Sequence, residues 1–255
     1  MIATFRRLEA ALRERAPASY DLAQALADNT RDALVSGPAS CWEILWDKPV
    51  FANARISSAE VRVQAAAPHL RDAWHTIGLP DSSFHVRRVE PGRKRKAFEL
   101  DGETARLLYS DFGIAAHRML AIQGAAAALR KRVERSPRAP YADLVGADLL
   151  TNVETLRKEK GEYWGTITVL HLLTDFGLAC KPDIHLVRSF QFLGIAPEIR
   201  LRPGEVPNLR KAVAIVEGVR ELAVRLHPAG NPTPQDLRRL DGLLLGFSRN
   251  GLLEG

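Results

Sequence analysis

Apolar residues recur at three- and four-residue spacing along most of this chain, which predicts a succession of amphipathic helices. From Thr4 to Ala16, Phe5, Leu8 and Leu12 share one face while Arg6, Arg7, Arg13 and Arg15 lie on the other, as in a surface helix. After Pro17, Ser19 fits an N-cap for a second helix through Leu22, Leu26, Leu34 and Val35, ended at Gly37-Pro38. Trp42, Ile44, Leu45 and Trp46 then crowd into an apolar cluster broken by Pro49. Ser57 or Ser58 starts another helix, whose pattern runs past Pro68 to Ile77-Gly78.

The texture changes between Phe84 and Leu100. This stretch looks like two short strands around Pro91-Gly92 and carries Arg87, Arg88, Arg93, Lys94, Arg95 and Lys96, the densest basic run in the chain. Either a solvated loop or a phosphate-contacting element fits it, because charge alone specifies no groove or base. Helical spacing resumes at Asp101 or Gly102 and runs to Tyr109, then again from Ile114 to about Val133, where the small residues from Gly124 to Ala128 imply close packing on a neighbour. A helix from Tyr141 through Leu144, Leu149, Leu150, Val153 and Leu156 leads to Lys158-Glu159-Lys160. Beyond a proline-rich linker, helices from about Leu209 to Leu226 and from Pro234 to Phe247 close the chain. The expected fold is mainly α, with a small β-hairpin-like basic insertion.

Composition adds bounds rather than detail. At 255 residues and 46% hydrophobic content the chain can fill a core, and a net charge of +6 favours a polyanionic partner. Cys41 and Cys180 are its only cysteines, which excludes a four-cysteine zinc or iron–sulfur site and fits a reducing compartment. No stretch reaches about 18 apolar residues and the N-terminus lacks the form of a signal peptide. A soluble, cytoplasmic monomer with no metal, no cofactor and no membrane association is therefore expected.

The candidate chemistry lies between Gly161 and Gly194. In Lys160-Gly161-Glu162-Tyr163-Trp164-Gly165-Thr166 a short turn precedes the apolar run ITVLHLL. Such a turn can present backbone N–H groups at the next helix's N-terminus, where the macrodipole favours an anion, or it can simply connect two helices. Asp183 follows Pro182 and precedes Ile184-His185-Leu186-Val187-Arg188, which places it as an N-cap. The same geometry fixes a carboxylate beside a bound backbone, as stabilisation of a cationic transition state requires.

These residues resemble the helix-hairpin-helix base-excision DNA glycosylases, which carry a Leu-Pro-Gly-Val-Gly type hairpin, a small-residue apolar helix, and an Asp-x-His-x-x-Arg segment. Gly161 matches the first hairpin glycine, Asp183 falls 22 positions later, and His185 and Arg188 fill the following motif positions. The match covers residues 141 to 194, and LRRLDGLLLGFSRNG is more weakly similar to the family's last helix. Lys160 stands in place of the usual proline and Tyr163 in place of the second glycine. Gly165 occupies the position of the nucleophilic lysine of bifunctional members, so the resemblance implies hydrolysis without a Schiff base or strand cleavage.

By this resemblance Asp183 is the catalytic residue, and Lys160, Gly161, Tyr163, Gly165, Thr166 and Arg188 contact DNA. The implied partner is duplex DNA containing a damaged or modified base, held in a cleft between two helical subdomains. One would comprise residues 57 to 177, ending in the hairpin and its second helix, and the other residues 1 to 56 with 178 to 255. Trp42, Trp46 and Trp164 are candidates for a base pocket by stacking, or for core. The base itself is open: alkylated, oxidised, deaminated or hypermodified. Two other readings remain beside the glycosylase. One is a DNA-binding module in which Asp183 is only a cap, and the other is a helical protein with an incidentally basic surface.

Overall fold

A computed structural model describes residues 1–52, 54–89, 97–202, 204–227 and 230–253. The chain is mainly helical with one small antiparallel sheet. Its elements begin with α1 (Ile2–Arg15), α2 (Pro17–Asp28), α3 (Pro38–Glu43), α4 (Lys48–Phe51) and α5 (Ile56–Leu70). The strands β1 (His85–Val89) and β2 (Ala97–Asp101) precede α6 (Glu103–Ser110) and α7 (Ala116–Arg135). After a single 3-10 turn at Ala142–Leu144 come α8 (Leu149–Lys160), α9 (Thr166–Asp175), α10 (Ile184–Phe192), α11 (Leu209–Leu226) and α12 (Pro234–Arg249). No helix among the described residues is long and apolar enough to cross a membrane.

The chain packs as two compact units, one of residues 1–32, 148–153 and 169–255 and the other of residues 33–147 and 154–168. The first contains both ends of the chain together with residues 148–153 and 169–177, and residues 33–56 lie in the second.

In the first unit the i, i+3, i+4 spacing of Phe5, Leu8 and Leu12 buries one face of α1, and Leu237, Leu240, Leu244 and Phe247 do the same for α12. Phe5 and Phe247 meet edge to face with ring centroids 5.5 Å apart. Arg239 of α12 reaches Glu9 of α1 at 3.0 Å and the Tyr20 hydroxyl of α2 at 2.9 Å, so one guanidinium ties three helices. The Ser189 hydroxyl of α10 donates to the Leu244 carbonyl of α12 at 2.6 Å. Helix α2 begins at Pro17, in the first-turn position that proline favours, without a side-chain cap from Ser19. It ends at Asp28 rather than near Val35: Asn29 folds its side chain back onto the Ala25 carbonyl, and the Arg31 N–H leaves for the Asp175 carbonyl.

In the second unit α7 is central. Its alanine-rich face is buried, and a Cβ at Gly124 would collide with the Lys160 carbonyl oxygen, so this position must be glycine for α8 to approach. The strands pair from His85↔Asp101 to Val89↔Ala97. The Gln123 side chain of α7 docks the ribbon by bonding both the N–H and the carbonyl of Val86. Two strands were expected here and two are found, whereas Arg93, Lys94, Arg95 and Lys96 lie outside the described residues. The helix expected from Tyr141 is instead the 3-10 turn, and α8 starts later, where the Asp148 carboxylate accepts the Thr151 N–H.

Candidate functional site

The predicted site residues fall into two groups, one in each unit. The turn 161–165 belongs to the second unit and joins α8 to α9. Gly161 has φ 77° and Tyr163 has φ 68°, so both positions at which the resemblance expects glycine take the left-handed conformation. That conformation is rare for a bulky residue and costs it about 1 kcal/mol. Ring contacts accompany it: the Tyr163 ring lies 5.3 Å from His117 of α7 and 6.4 Å from Phe98 of β2. Beside it, Arg88 of β1 pairs with Glu162 at 2.8 Å. The ribbon therefore braces the turn, a relation that sequence reading missed because the partners lie far apart in the chain. The only signal was an arginine in the basic run and an acid inside the turn.

The turn lines a concave surface of about 510 Å³ with Glu154, Arg157 and Lys158 of α8. Arg157 and Lys158 are exposed there, and the first N–H groups of α9 start beside them without an i−4 carbonyl partner in their own helix. Arg88 offsets the charge of Glu162. An anion fits this composition better than a cation does. Gly165 is exposed, and a Cβ built on it would meet no heavy atom within 4 Å, so the position carries no amine yet has room for a side chain.

Three expectations for this group are corrected. The Lys160 side chain is buried: its ammonium lies 3.2 Å from the Tyr141 hydroxyl and over the rings of Tyr141 and Trp164, which leaves it nothing to offer a phosphate. The Gly161 N–H closes the last turn of α8 on the Arg157 carbonyl and is not available to an anion. Trp42, Trp46 and Trp164 are all buried core residues. The indoles of Trp42 and Trp164 donate to the carbonyls of Leu70 at 2.6 Å and Ala121 at 2.8 Å. None is exposed to stack on a base.

Burial is also the main influence on Lys160, and with repulsion from Arg132 it lowers the pKa to about 7. Arg132 itself is buried over the Tyr141 ring and binds Glu159 at 2.7 Å and Asp143 at 2.6 Å. Burial raises the Tyr141 hydroxyl far above its ordinary value.

In the first unit Asp183 caps α10 as predicted. Its Oδ1 accepts the N–H groups of His185 at 3.0 Å and Leu186 at 3.1 Å. Oδ2 has the Lys181 ammonium at 3.9 Å and no hydrogen bond among the described residues. One carboxylate oxygen is thus held by the helix and the other is not, on a side chain about a quarter exposed. His185 places Nδ1 3.2 Å from the Ser248 hydroxyl, and burial lowers its pKa against the pull of Asp183. At neutral pH it is uncharged. Arg188 is exposed one helical turn beyond Asp183 on α10, and Thr166 is the first residue of α9.

Behind Asp183 lies a buried ion cluster. Asp241 of α12 accepts the Lys181 N–H at 2.9 Å and the Arg238 guanidinium at 2.8 Å, and Arg238 reaches Asp175 at 3.1 Å. Burial is the first cause that raises the Asp241 pKa, to about 6. Cys180 and Cys41 are both buried. Among the described residues no group of three or more histidine, cysteine, aspartate or glutamate side chains is arranged to hold a metal. Comparison of the chain with protein-family models, with curated proteins and with solved structures found no match.

Proposed function

We propose that this protein is a monofunctional DNA glycosylase that hydrolyses the N-glycosidic bond of a flipped base and leaves an abasic site. The observation that best supports it is the turn: Tyr163 takes a left-handed φ where the helix-hairpin-helix resemblance expects glycine. A left-handed φ at Gly161 and at Tyr163 is what a hairpin with glycine at both positions would require. In this reading the start of α9, Gly165 and Thr166, with Arg157 and Lys158, receives the DNA backbone. Holding that backbone offsets the few kcal/mol that base flipping costs. As the base departs, positive charge builds on the sugar, and the uncapped Oδ2 of Asp183 stabilises it and orients the attacking water. The two N–H groups on Oδ1 keep the carboxylate from turning away. Gly165 provides no amine, so the reaction ends at the abasic site.

A second reading is favoured by the same cap. The two capping bonds account for Asp183 fully, so the chain could bind DNA without chemistry. The substitution Asp183→Asn decides, since the amide keeps an oxygen for the cap and removes the charge. Wild type and variant are incubated with DNAs carrying alkylated, oxidised, deaminated or hypermodified bases, and released bases are identified by mass spectrometry. The glycosylase reading expects release by the wild type, at least a hundredfold loss in the variant, and unchanged duplex binding. Equal release by both, or none by either, refutes it. Borohydride should trap no covalent adduct, and an adduct would show that some lysine acts as nucleophile.

A further inference from the structure

We propose that Asp241 is a positioning residue for Asp183, acting through the backbone of Lys181; this rests on the glycosylase reading. A carboxylate on the apolar stripe of a helix is retained only where its bonds compensate its desolvation. Asp241 sits between Leu240 and Leu243 on α12, nearly inaccessible to solvent, and both its oxygens are engaged. Those bonds organise the irregular link 176–183 that carries the chain from α9 to α10.

At the start of the link, Arg238 holds Asp175, the last residue of α9, while it holds Asp241. At the far end Lys181 is bonded on both sides. Its N–H donates to Asp241 Oδ1, and its carbonyl accepts the Asp183 N–H at 2.7 Å. A continuous chain of hydrogen bonds therefore runs from one aspartate to the other. Asp183 has no covalent neighbour in regular structure on its N-terminal side, so this tie adds to its own cap and to the Lys181 ammonium in fixing where the carboxylate sits. Arg220 of α11 steadies the middle of the link through the Leu178 carbonyl.

The charged and titratable groups around Asp241 are Arg238 on its own helix, Asp175 from α9, Lys181 and Asp183 from the link, and Arg220 and Glu217 of α11 beside the Cys180 thiol. Burial and the charge of Asp183 raise its pKa, Arg238 and the Lys181 N–H oppose them, and the outcome is about 6. As pH falls through that value Asp241 takes up a proton, and its hold on Arg238 and Lys181 weakens. Base release should then decline on the acid side with Asp241 as the titrating group. His185 titrates below its usual 6.5 as well, so a variant must separate the two.

The test uses Asp241→Asn and Asp241→Ala in the full chain, with Asp183→Asn alongside and thermal melts as the check on folding. Amide shifts of Lys181 and Leu186 are followed by NMR from pH 5 to 8, and base release is measured on the DNA that the wild type acts on. The Asn variant keeps an acceptor for Lys181, so release within about threefold of wild type is expected above pH 7. Its acid decline and the shared shift of the two amides near pH 6 should be gone. The Ala variant should lose at least tenfold in rate with duplex affinity unchanged. A folded Ala variant with wild-type rate, or a Leu186 amide whose titration is the same in wild type and Asp241→Asn, overturns the proposal. Absent base release, or release that survives Asp183→Asn, counts against the glycosylase reading instead, and the amide titration still decides whether Asp241 holds Asp183.

Discussion

Replacing Lys160 with methionine should make the protein more stable at neutral pH and remove a pH dependence that the native chain carries. The ammonium is 2% exposed at the end of α8. Its surroundings are the Tyr141 hydroxyl at 3.2 Å and the rings of Tyr141 and Trp164 at 5.0 and 5.5 Å. The nearby carboxylates, Glu159 and Asp143, are both engaged by Arg132, which itself repels the lysine. Burial therefore dominates, and the pKa falls from 10.5 to about 7. In the window between these values the unfolded chain binds a proton that the native chain lacks, so stability must rise with pH there. At roughly 1.4 kcal/mol per unit the whole window sets a ceiling of about 5 kcal/mol. The two ring faces favour the ammonium by roughly 1–2 kcal/mol, which leaves about 3 kcal/mol.

Methionine fills the same slot without charge. It gives up one hydrogen bond worth about 1 kcal/mol, so Lys160→Met should gain about 2 kcal/mol at pH 7. Urea midpoints of both proteins, measured from pH 7 to 9, give the difference directly. The variant's advantage should shrink by up to about 1.4 kcal/mol per pH unit as the wild type gains stability. Cys180, whose pKa is raised, acts in the opposite direction in both proteins and cancels in the difference, and Tyr141 ionises in the unfolded chain only near about pH 10, beyond the range measured. Parallel curves would refute the reasoning, because they would show that the rings hold the ammonium at its ordinary pKa.

Other positions give sharper local tests. Tyr163→Gly relieves the left-handed φ of 68° but loses the ring contacts, and should stay within about 1 kcal/mol of wild type, whereas Tyr163→Ala keeps the strain without the rings and should lose about 1–2 kcal/mol by urea unfolding. Gly124→Ala gains helix propensity worth about 1 kcal/mol, yet the collision with the Lys160 carbonyl should outweigh it and lower stability by a net of about 1–2 kcal/mol, read as a lower melting temperature. Removing the exposed cations in Arg157→Ala with Lys158→Ala should flatten the salt dependence of duplex binding by a slope of about 2, and an unchanged slope would place the DNA elsewhere.

Helical spacing carried most of the fold, because burying one stripe per helix is the dominant constraint on each segment. It located α1, α11 and α12 to within a few residues, and the alternation around residues 84 to 100 gave both strands. The errors came where a backbone group finds a distant partner. Leu34 and Val35 continue the helical pattern after α2, but the Arg31 N–H goes to Asp175, far along the chain, and both apolar side chains end up exposed. Tyr141 and Leu144 looked like the first turn of α8, yet Asp148 caps the helix later and leaves only a 3-10 turn before it. A distant partner acts in the same way at Trp42, whose indole N–H donates to the Leu70 carbonyl at the end of α5.

For the candidate site, charge type misled where spacing was right. The resemblance makes Lys160 a DNA contact, but Lys160 follows Val153 by seven positions and Leu156 by four, which puts it on the buried stripe of α8. Asp241 follows Leu237 by four and precedes Leu244 by three on α12, and Arg132 follows Ala125 by seven and Leu129 by three on α7, so each also shares its helix's buried stripe. All three are buried. Period alone therefore predicts burial of these charges, and burial implies a compensating partner that no local pattern reveals. For Asp241 the partners are the N–H of Lys181 and, one turn back on its own helix, Arg238; for Lys160 the Tyr141 hydroxyl and two aromatic rings; and for Arg132 two acids and a ring. A charged residue on an apolar stripe is thus where sequence reading should look for a device, while the identity of that device depends on which loop the fold delivers to it.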